Sequence, residues 1–257
     1  MIDIHTHILP GMDDGSESLE ESLMMAELAA KCGVTTIVAT PHCNMIEAFE
    51  NYNSPSWQEH FEKTKVFLQE SKIAIELLKG MEIFGTEDTA KKIEDGLLLS
   101  LNDSCYYLME FPFGADPFWI GDILDSVLSI GKIPVIAHPE RYYCIQDEPM
   151  ILYEWMQQGC FSQLNKGSIF GRFGRHAQMA AGVLLENRLV TCVASDGHSP
   201  YQRTTFMGDI KEYLEDEYGE TYASLLLTEN PKKMIQNNFI SNEEIERPVK
   251  RRRFWFT

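Results

Sequence analysis

The sequence predicts an α/β fold, a (β/α)7 barrel related to the eightfold TIM barrel, and three observations carry that expectation. Short apolar, β-branched runs alternate with longer helical patterns almost from end to end. Seven such runs occur, enough for a closed ring of parallel strands with crossover helices outside it. At 257 residues the chain is long enough to bury one large core. A doubly wound open sheet is the alternative arrangement of the same elements.

The strand candidates are residues 1–5, 34–40, 73–83, 105–111, 133–138, 160–165 and 189–195. Helical patterns fill the intervals at 18–32, 55–71, 87–95, 117–130, 148–158 and 174–187, with further helix at 202–217 and 220–238. The first helix has a clear start: Ser18 can cap it and Glu21 stands three residues on, the capping-box spacing. An apolar stripe through Leu23, Leu28 and Ala30 follows, and Gly33 ends it. No repeat, low-complexity tract or linker divides the chain. The expected organisation is one domain over 1–240 and a tail over 241–257. Lys250-Arg251-Arg252-Arg253-Phe254-Trp255-Phe256 makes that tail basic and aromatic, suited either to a frayed terminus or to docking on an acidic surface.

Composition narrows the function classes. The chain is 44% hydrophobic and 24% charged, as globular domains are, and its net charge is -17. Such an excess argues against a nucleic-acid-binding surface, and it would repel anionic substrates unless something local reverses the sign. The first residues lack a basic stretch followed by an apolar one, and runs such as Leu97-Leu98-Leu99 are too short to span a bilayer. The six cysteines are scattered without a Cys-x-x-Cys pair. A reduced, cytoplasmic protein without membrane insertion is expected.

The chemistry lies at the strand ends. The first strand candidate runs into His5 and His7, the second into His42, and the third into Glu82. Glu110, His138, Asn165 and then Asp196 with His198 follow the remaining four, while Asp13 and Asp14 come soon after the first. In parallel α/β folds the C-terminal strand ends are where sites are built. His5 and His7 are one residue apart, so an extended backbone aims both rings to one side, and Asp196 with His198 repeats the spacing. Imidazole and carboxylate without thiolate favour Mn, Fe or Zn in a non-structural site, and a bridging carboxylate can hold two cations together. A lone His-x-His is usually incidental, and a lone Glu at a strand end is usually solvated. Six of the seven strand candidates end in a ligand type, and five of the seven histidines are among them, which outweighs the incidental reading. His60 and His176, in polar helical stretches, are left out.

These residues carry a family resemblance. Asp3-Ile4-His5-Thr6-His7 with Asp13-Asp14-Gly15 resembles the opening motif of PHP-domain phosphoesterases, in particular the bacterial manganese-dependent tyrosine phosphatases of the CpsB/CapC/YwqE type. Ala39-Thr40-Pro41-His42, Gly80-Met81-Glu82-Ile83, Met109-Glu110-Phe111-Pro112 and Ile136-Ala137-His138-Pro139-Glu140-Arg141 continue it. Gln163-Leu164-Asn165, Ser195-Asp196-Gly197-His198 and Asn230-Pro231 complete the ordered set, over about residues 1–240. The resemblance implies a distorted (β/α)7 barrel, the PHP fold, with three divalent ions, Mn2+ before Fe or Zn. His5, His7, Glu82 and Asp196 would surround the first, Glu82, Glu110 and His138 the second, and Asp14, His42 and His198 the third. Asp13 competes with Asp14 for its place. Arg141 and Arg203 match phosphate-contacting positions, although Arg203, opening a polar helix, could equally be solvated.

Three divalent ions would contribute +6 against -4 from the four ligand carboxylates, leaving the site at +2 in an acidic protein. The implied reaction is hydrolysis of phosphotyrosine by a water that metal binding acidifies, on a phosphotyrosine protein such as a tyrosine autokinase of capsule or exopolysaccharide synthesis. A homo-oligomer is compatible with the sequence. The alternatives are a small-molecule phosphatase such as histidinol-phosphatase, or a non-catalytic metal-binding regulator. A thiol mechanism is excluded by spacing, because no cysteine has an arginine six residues later, and no Gly-x4-Gly-Lys loop is present.

Overall fold

Parallel pairing joins every strand among the described residues, 1–242 and 244–248 of a computed structural model. The basic–aromatic stretch at 250–256 lies outside the described residues. The strands are β1 (Ile2–Thr6), β2 (Thr36–Ala39), β3 (His42–Cys43), β4 (Glu76–Lys79) and β5 (Glu82–Phe84). They continue with β6 (Tyr106–Glu110), β7 (Ile133–Ala137), β8 (Phe161–Asn165) and β9 (Cys192–Ala194). They form two ladders, β1-β2-β4 and β3-β5-β6-β7-β8-β9.

The ladders are parts of one ring. β2 and β3 are two halves of one stave, interrupted at Pro41, which has no N–H to donate. The expected single strand at 73–83 is likewise two, β4 and β5, broken at Gly80-Met81. A side chain at Gly80 would place its Cβ 2.8 Å from Val38. Hydrogen bonds from Thr40 N to Thr6 O (2.9 Å) and from Glu82 N to Pro41 O (3.1 Å) carry the pairing across both gaps. The ring closes where Asp196 N donates to His5 O (3.0 Å) and His7 N to Gly197 O (2.9 Å). Seven staves result, two of them broken, so the barrel expectation holds and the open sheet is excluded.

Two apolar clusters follow from the alternation of strand side chains. The larger lies between staves and helices, where Ile37, Leu77, Met109, Ile136 and Val193 meet residues such as Met25, Phe61, Leu124, Trp155 and Leu184. The smaller fills the barrel with Ile2, Ile4, Val38, Leu108, Val135, Ala137, Phe161 and Ala194, and Leu101, Met234, Ile235 and Ile240 close its floor. Asn242 then donates to Met156 O (3.0 Å) and Cys160 O (3.1 Å), fastening the following segment under the barrel. The smaller cluster occupies one end and the middle of the ring, which leaves its C-terminal end to polar groups.

Several helix expectations are corrected in detail. The first helix is Leu19–Lys31, and Ser18 Oγ accepts from Glu21 N (3.2 Å). Glu21 reaches back to Glu17 N (3.0 Å) instead of Ser18 N, so half of the capping box is displaced by one residue. The helix expected over 202–217 is Gly208–Tyr218, and 198–207 is a loop tied by His198 N to Arg203 O (2.8 Å). The stretch 220–238 is segmented into Glu220–Ser224, a π turn at Leu225–Glu229 and Asn230–Ile235. Pro149 divides Tyr143–Asp147 from Met150–Gln158. Among the described residues no helix is long and apolar enough to cross a membrane.

Candidate metal centre

His5 and His7 occupy the C-terminal end of β1, and the pairing of that strand explains their aim. Between Asp3 and Thr6, β1 advances three residues while β2 advances two, from Ile37 to Ala39. The extra residue is a bulge, a device that re-aims side chains beside active sites. Ile4 therefore joins the barrel filling while its neighbour His5 turns to the rim, and both are fully buried. His5 Nδ1 faces Gln163 Oε1 at 2.7 Å and His7 Nδ1 faces Asp13 Oδ2 at 2.7 Å. A carboxylate only accepts, so His7 Nδ1 carries a proton toward Asp13, which leaves Nε2 as the nitrogen that a metal would take. The two Nε2 atoms lie 3.2 Å apart, 3.1 and 3.2 Å from Glu82 Oε2, with Asp196 Oδ1 at 3.6 and 3.5 Å.

Glu82, at the start of β5, faces two ways. Its Oε2 meets His5 and His7, while its Oε1 lies 2.9 Å from His138 Nε2. Glu110, at the end of β6, puts Oε2 4.0 Å from the same nitrogen and Oε1 2.8 Å from His42 Nδ1. Asp14 Oδ1 is 3.6 Å from His42 Nε2 and 3.5 Å from His198 Nε2. Three metal-competent sets emerge: His5, His7 and Asp196; His42, Glu82 and Glu110; and His7, Asp14, His42 and His198. All nine sequence-predicted ligand candidates thus converge on one cleft. The sets depart from the implied grouping at His138, which lies in none of them and meets Glu82 Oε1 instead, and at His42, whose two ring nitrogens face different sets.

Asp13 and Asp14 separate cleanly. Asp13 stands behind His7, where it also accepts from His42 N (2.8 Å) and Gly15 N (2.9 Å), whereas Asp14 points into the cleft. Gly15 is required by this turn, since a Cβ there would lie 2.2 Å from His7 O. Asp196 and His198 converge for a reason other than the one expected. Asp196 is left-handed at φ 50°, as is His138 at φ 35°, so a strained corner and not an extended strand aims these side chains. Asn165 Nδ2 and Arg203 both contact Asp196 Oδ2.

The electrostatics fit a multivalent cation. Burial opposes charge on Glu82 and Asp196, yet His5 and the neighbouring histidines, with Arg203 at Asp196, hold both well below the usual carboxylate range. Burial also opposes protonation of His42, but Glu82 and Glu110 push it up to about 9. His138 and His198 are lowered, in each case first by burial. Buried His42 Nδ1 and Glu110 Oε1 lie against each other, and His198 Nε2 against Asp14, without the geometry of a hydrogen bond. Carboxylate oxygens and lone-pair nitrogens packed this closely repel one another until a proton or a metal lies between them.

Above the cluster the cleft holds about 300 Å3 and is walled by Met45, Phe84, Phe111, Pro112, Phe113, Arg141 and Arg203. The Arg141 guanidinium lies between two rings, 4.2 Å from the Phe113 centroid and 4.4 Å from that of Phe173. Arg203 is on the loop at φ 49°, not at a helix start. Sequence reasoning missed Phe113 and Phe173. The run Phe111-Pro112-Phe113 behind Glu110 offered a signal for the first, and nothing marked the second. It also left open the part of Gln163, which proves to face His5. His60 Nε2 instead meets Pro10 O at 2.6 Å, and His176 is exposed on a neighbouring groove, both apart from the cluster.

Comparison with known proteins agrees with this geometry. Residues 1–236 match the family model described as "Capsular polysaccharide synthesis, CpsB/CapC". The tyrosine-protein phosphatase YwqE of Bacillus subtilis is 36% identical over 255 residues, covering 99% of each chain. The tyrosine-protein phosphatase CpsB of Streptococcus pneumoniae is 34% identical, over 93% of this chain and 100% of its own. A crystal structure from a study of YwqE and CpsB as metal-dependent tyrosine phosphatases superposes with a TM-score of 0.89 at 36% identity, over 98% of this chain and all of that one. With a model match across nearly the whole barrel and relatives of this similarity, the chain belongs to the CpsB/CapC family.

Proposed function

We propose that the protein is a metal-dependent protein-tyrosine phosphatase. The observation that carries this reading is a cluster of buried imidazoles around a two-faced buried carboxylate, Glu82, in a cleft that a clamped guanidinium also lines. His5, His7, Glu82 and Asp196 would hold one cation, Glu82, Glu110 and His138 a second, and Asp14, His42 and His198 a third, with manganese the expected metal. Bound there, divalent cations supply Lewis acidity that makes water a nucleophile near neutral pH and offsets phosphoryl charge.

The chain's own groups do the rest. Arg141 and Arg203, both contacting Asp196, stand where a guanidinium fork can take two non-bridging phosphate oxygens. The rings of Phe113 and Phe173 fix the Arg141 plane, so little side-chain entropy is lost on binding phosphate. Asp13 and Gln163 hold the His7 and His5 rings in place. Phe84, Phe111 and Phe113 give the cleft apolar walls that suit a phenyl ring. A phenolate with a conjugate-acid pKa of about 10 leaves without a strong general acid, and none is assigned.

In this reading the physiological substrate is a phosphotyrosine protein, a bacterial tyrosine autokinase of capsule or exopolysaccharide synthesis, met in the cytoplasm. The test compares a phosphotyrosine peptide, a phosphoserine peptide and histidinol phosphate at equal concentration, before and after chelation and Mn2+ replacement. Fastest turnover of the phosphotyrosine peptide, lost on chelation and restored by Mn2+, is expected. Faster histidinol phosphate hydrolysis would overturn the substrate class, and turnover indifferent to chelators would overturn the mechanism.

A further inference from the structure

A second groove adjoins the metal cleft and shares two of its walls. It encloses about 270 Å3 and is lined by Phe113, Arg141, Tyr143, Gln146, Phe173 and Arg175, among others. Phe113 and Arg141 line the metal cleft as well, so a chain leaving one enters the other directly. In a protein of net charge -17, none of this groove's lining residues is a carboxylate. Arg175 stands on its lip, exposed, at the start of the helix Arg175–Glu186. Tyr143, 62% exposed, offers a ring face and a hydroxyl beside it.

A third groove, which shares Asp14 and Arg203 with the metal cleft, has the other sign. The groove beyond Arg203 and His198 is lined by Asp14, Glu17 and Glu21 together with Ser199, Tyr201 and Gln202. A peptide leaving the metal cleft therefore meets cationic and aromatic walls in one groove and mainly carboxylates in the other. Successive residues of an extended peptide advance about 3.3–3.6 Å, so a residue two or three positions from one seated at the metals reaches the neighbouring groove.

Resting on the phosphatase reading above, we propose that the Arg175 groove is a subsite for an acidic residue flanking the phosphotyrosine of the substrate. Arg175 supplies the counter-charge, while Tyr143 and Phe173 pack against the stem of the acidic side chain. The site thereby selects among phosphotyrosine peptides by the charge of their flanks, a discrimination that the metal cluster cannot make.

The experiment uses the full-length Mn2+-loaded protein with phosphotyrosine peptides bearing Glu, Gln or Lys two and three positions to either side. Phenyl phosphate, which has no flank, is the control. The wild-type protein is expected to favour a Glu-flanked over a Gln-flanked peptide by about fivefold in kcat/KM, the scale of a partly exposed ion pair, with the preference shrinking at high salt. Arg175→Ala is expected to remove the preference while leaving phenyl phosphate turnover unchanged, and Arg175→Glu to turn it toward the Lys-flanked peptide. Equal rates on Glu- and Gln-flanked peptides, or a preference that survives Arg175→Glu, would overturn the subsite and leave the phosphatase standing. Failure of the wild-type protein on phenyl phosphate and on every peptide would overturn the phosphatase reading, and the subsite with it.

Discussion

The cluster beneath the cleft and the arginines above it are built by opposite means. His5, His7, Glu82 and Asp196 are all at most 1% exposed, and each is placed by the barrel ladder, the seam or a tight corner. Their rings are pinned from behind by Gln163 and Asp13. Arg141 and Arg203 are 19% and 26% exposed, reside on a short turn and a loop, and are steadied by aromatic faces. Backbone-held carboxylates and imidazoles are fixed by the barrel itself, whereas the guanidinium of Arg203 is carried by a loop and that of Arg141 is held between ring faces. Metal retention and phosphate handling are therefore separable, and mutations in the two layers should behave differently.

The largest effect is expected from Glu82→Gln. One oxygen of Glu82 faces His5 and His7 and the other faces His138, so the substitution removes charge shared by two candidate ion sites. Phenyl phosphate turnover should fall by about a thousandfold or more, together with metal content measured by elemental analysis. Retention of the full metal complement would refute the two-faced role. Arg141→Ala attacks the upper layer and should leave metal content intact. Losing a charge-assisted contact to phosphate costs about 1.5–3 kcal/mol, or about ten- to a hundredfold in kcat/KM. Metal loss in that variant would erase the distinction between the layers.

The same division governs what could be read from the sequence. Ligand types at strand ends were visible because strand periodicity locates the ends, and the C-terminal rim of a parallel barrel is where such residues converge. What could not be read depended on turns and contacts between distant segments. Asp13 and Asp14 are adjacent and chemically identical, and only the turn at Gly15 sends one behind His7 and the other into the cleft. The Asp196-x-His198 spacing looked like a strand, yet the convergence comes from a left-handed corner. Arg203 looked like the first residue of a helix because the polar pattern runs on from 202, but the hydrogen bond between His198 and Arg203 keeps that stretch a loop. Phe173 reaches Arg141 across the fold, a contact no local pattern carries.

Protons and metal ions compete for the lower layer, and this gives the smallest but most diagnostic effect. In metal-free protein, His42 is pushed up to about 9 from an ordinary 6.5, against burial, by Glu82 and Glu110. A group whose folded pKa is raised binds more protons in the fold than in the unfolded chain. Its stabilisation is complete below about pH 6.5 and is lost as pH rises through about 9. His7, raised by Asp13 against burial, acts in the same direction. Glu82 and Asp196 act oppositely: their folded values lie below the ordinary 4.5 and 3.8, so their contribution is present above that range and disappears in acid. His138 and His198, lowered by burial, act against the raised imidazoles, but His5, His7 and His42 outnumber them, so the Tm of metal-free protein should fall by several degrees from pH 6.5 to 9. With Mn2+ bound, the imidazoles are already neutral and binding itself releases protons, so the same rise in pH should leave Tm level or higher. Differential scanning calorimetry of chelated and Mn2+-loaded samples at the two pH values measures the contrast. A Tm of the chelated protein that does not change between them would mean that protons do not balance the cluster in the absence of metal.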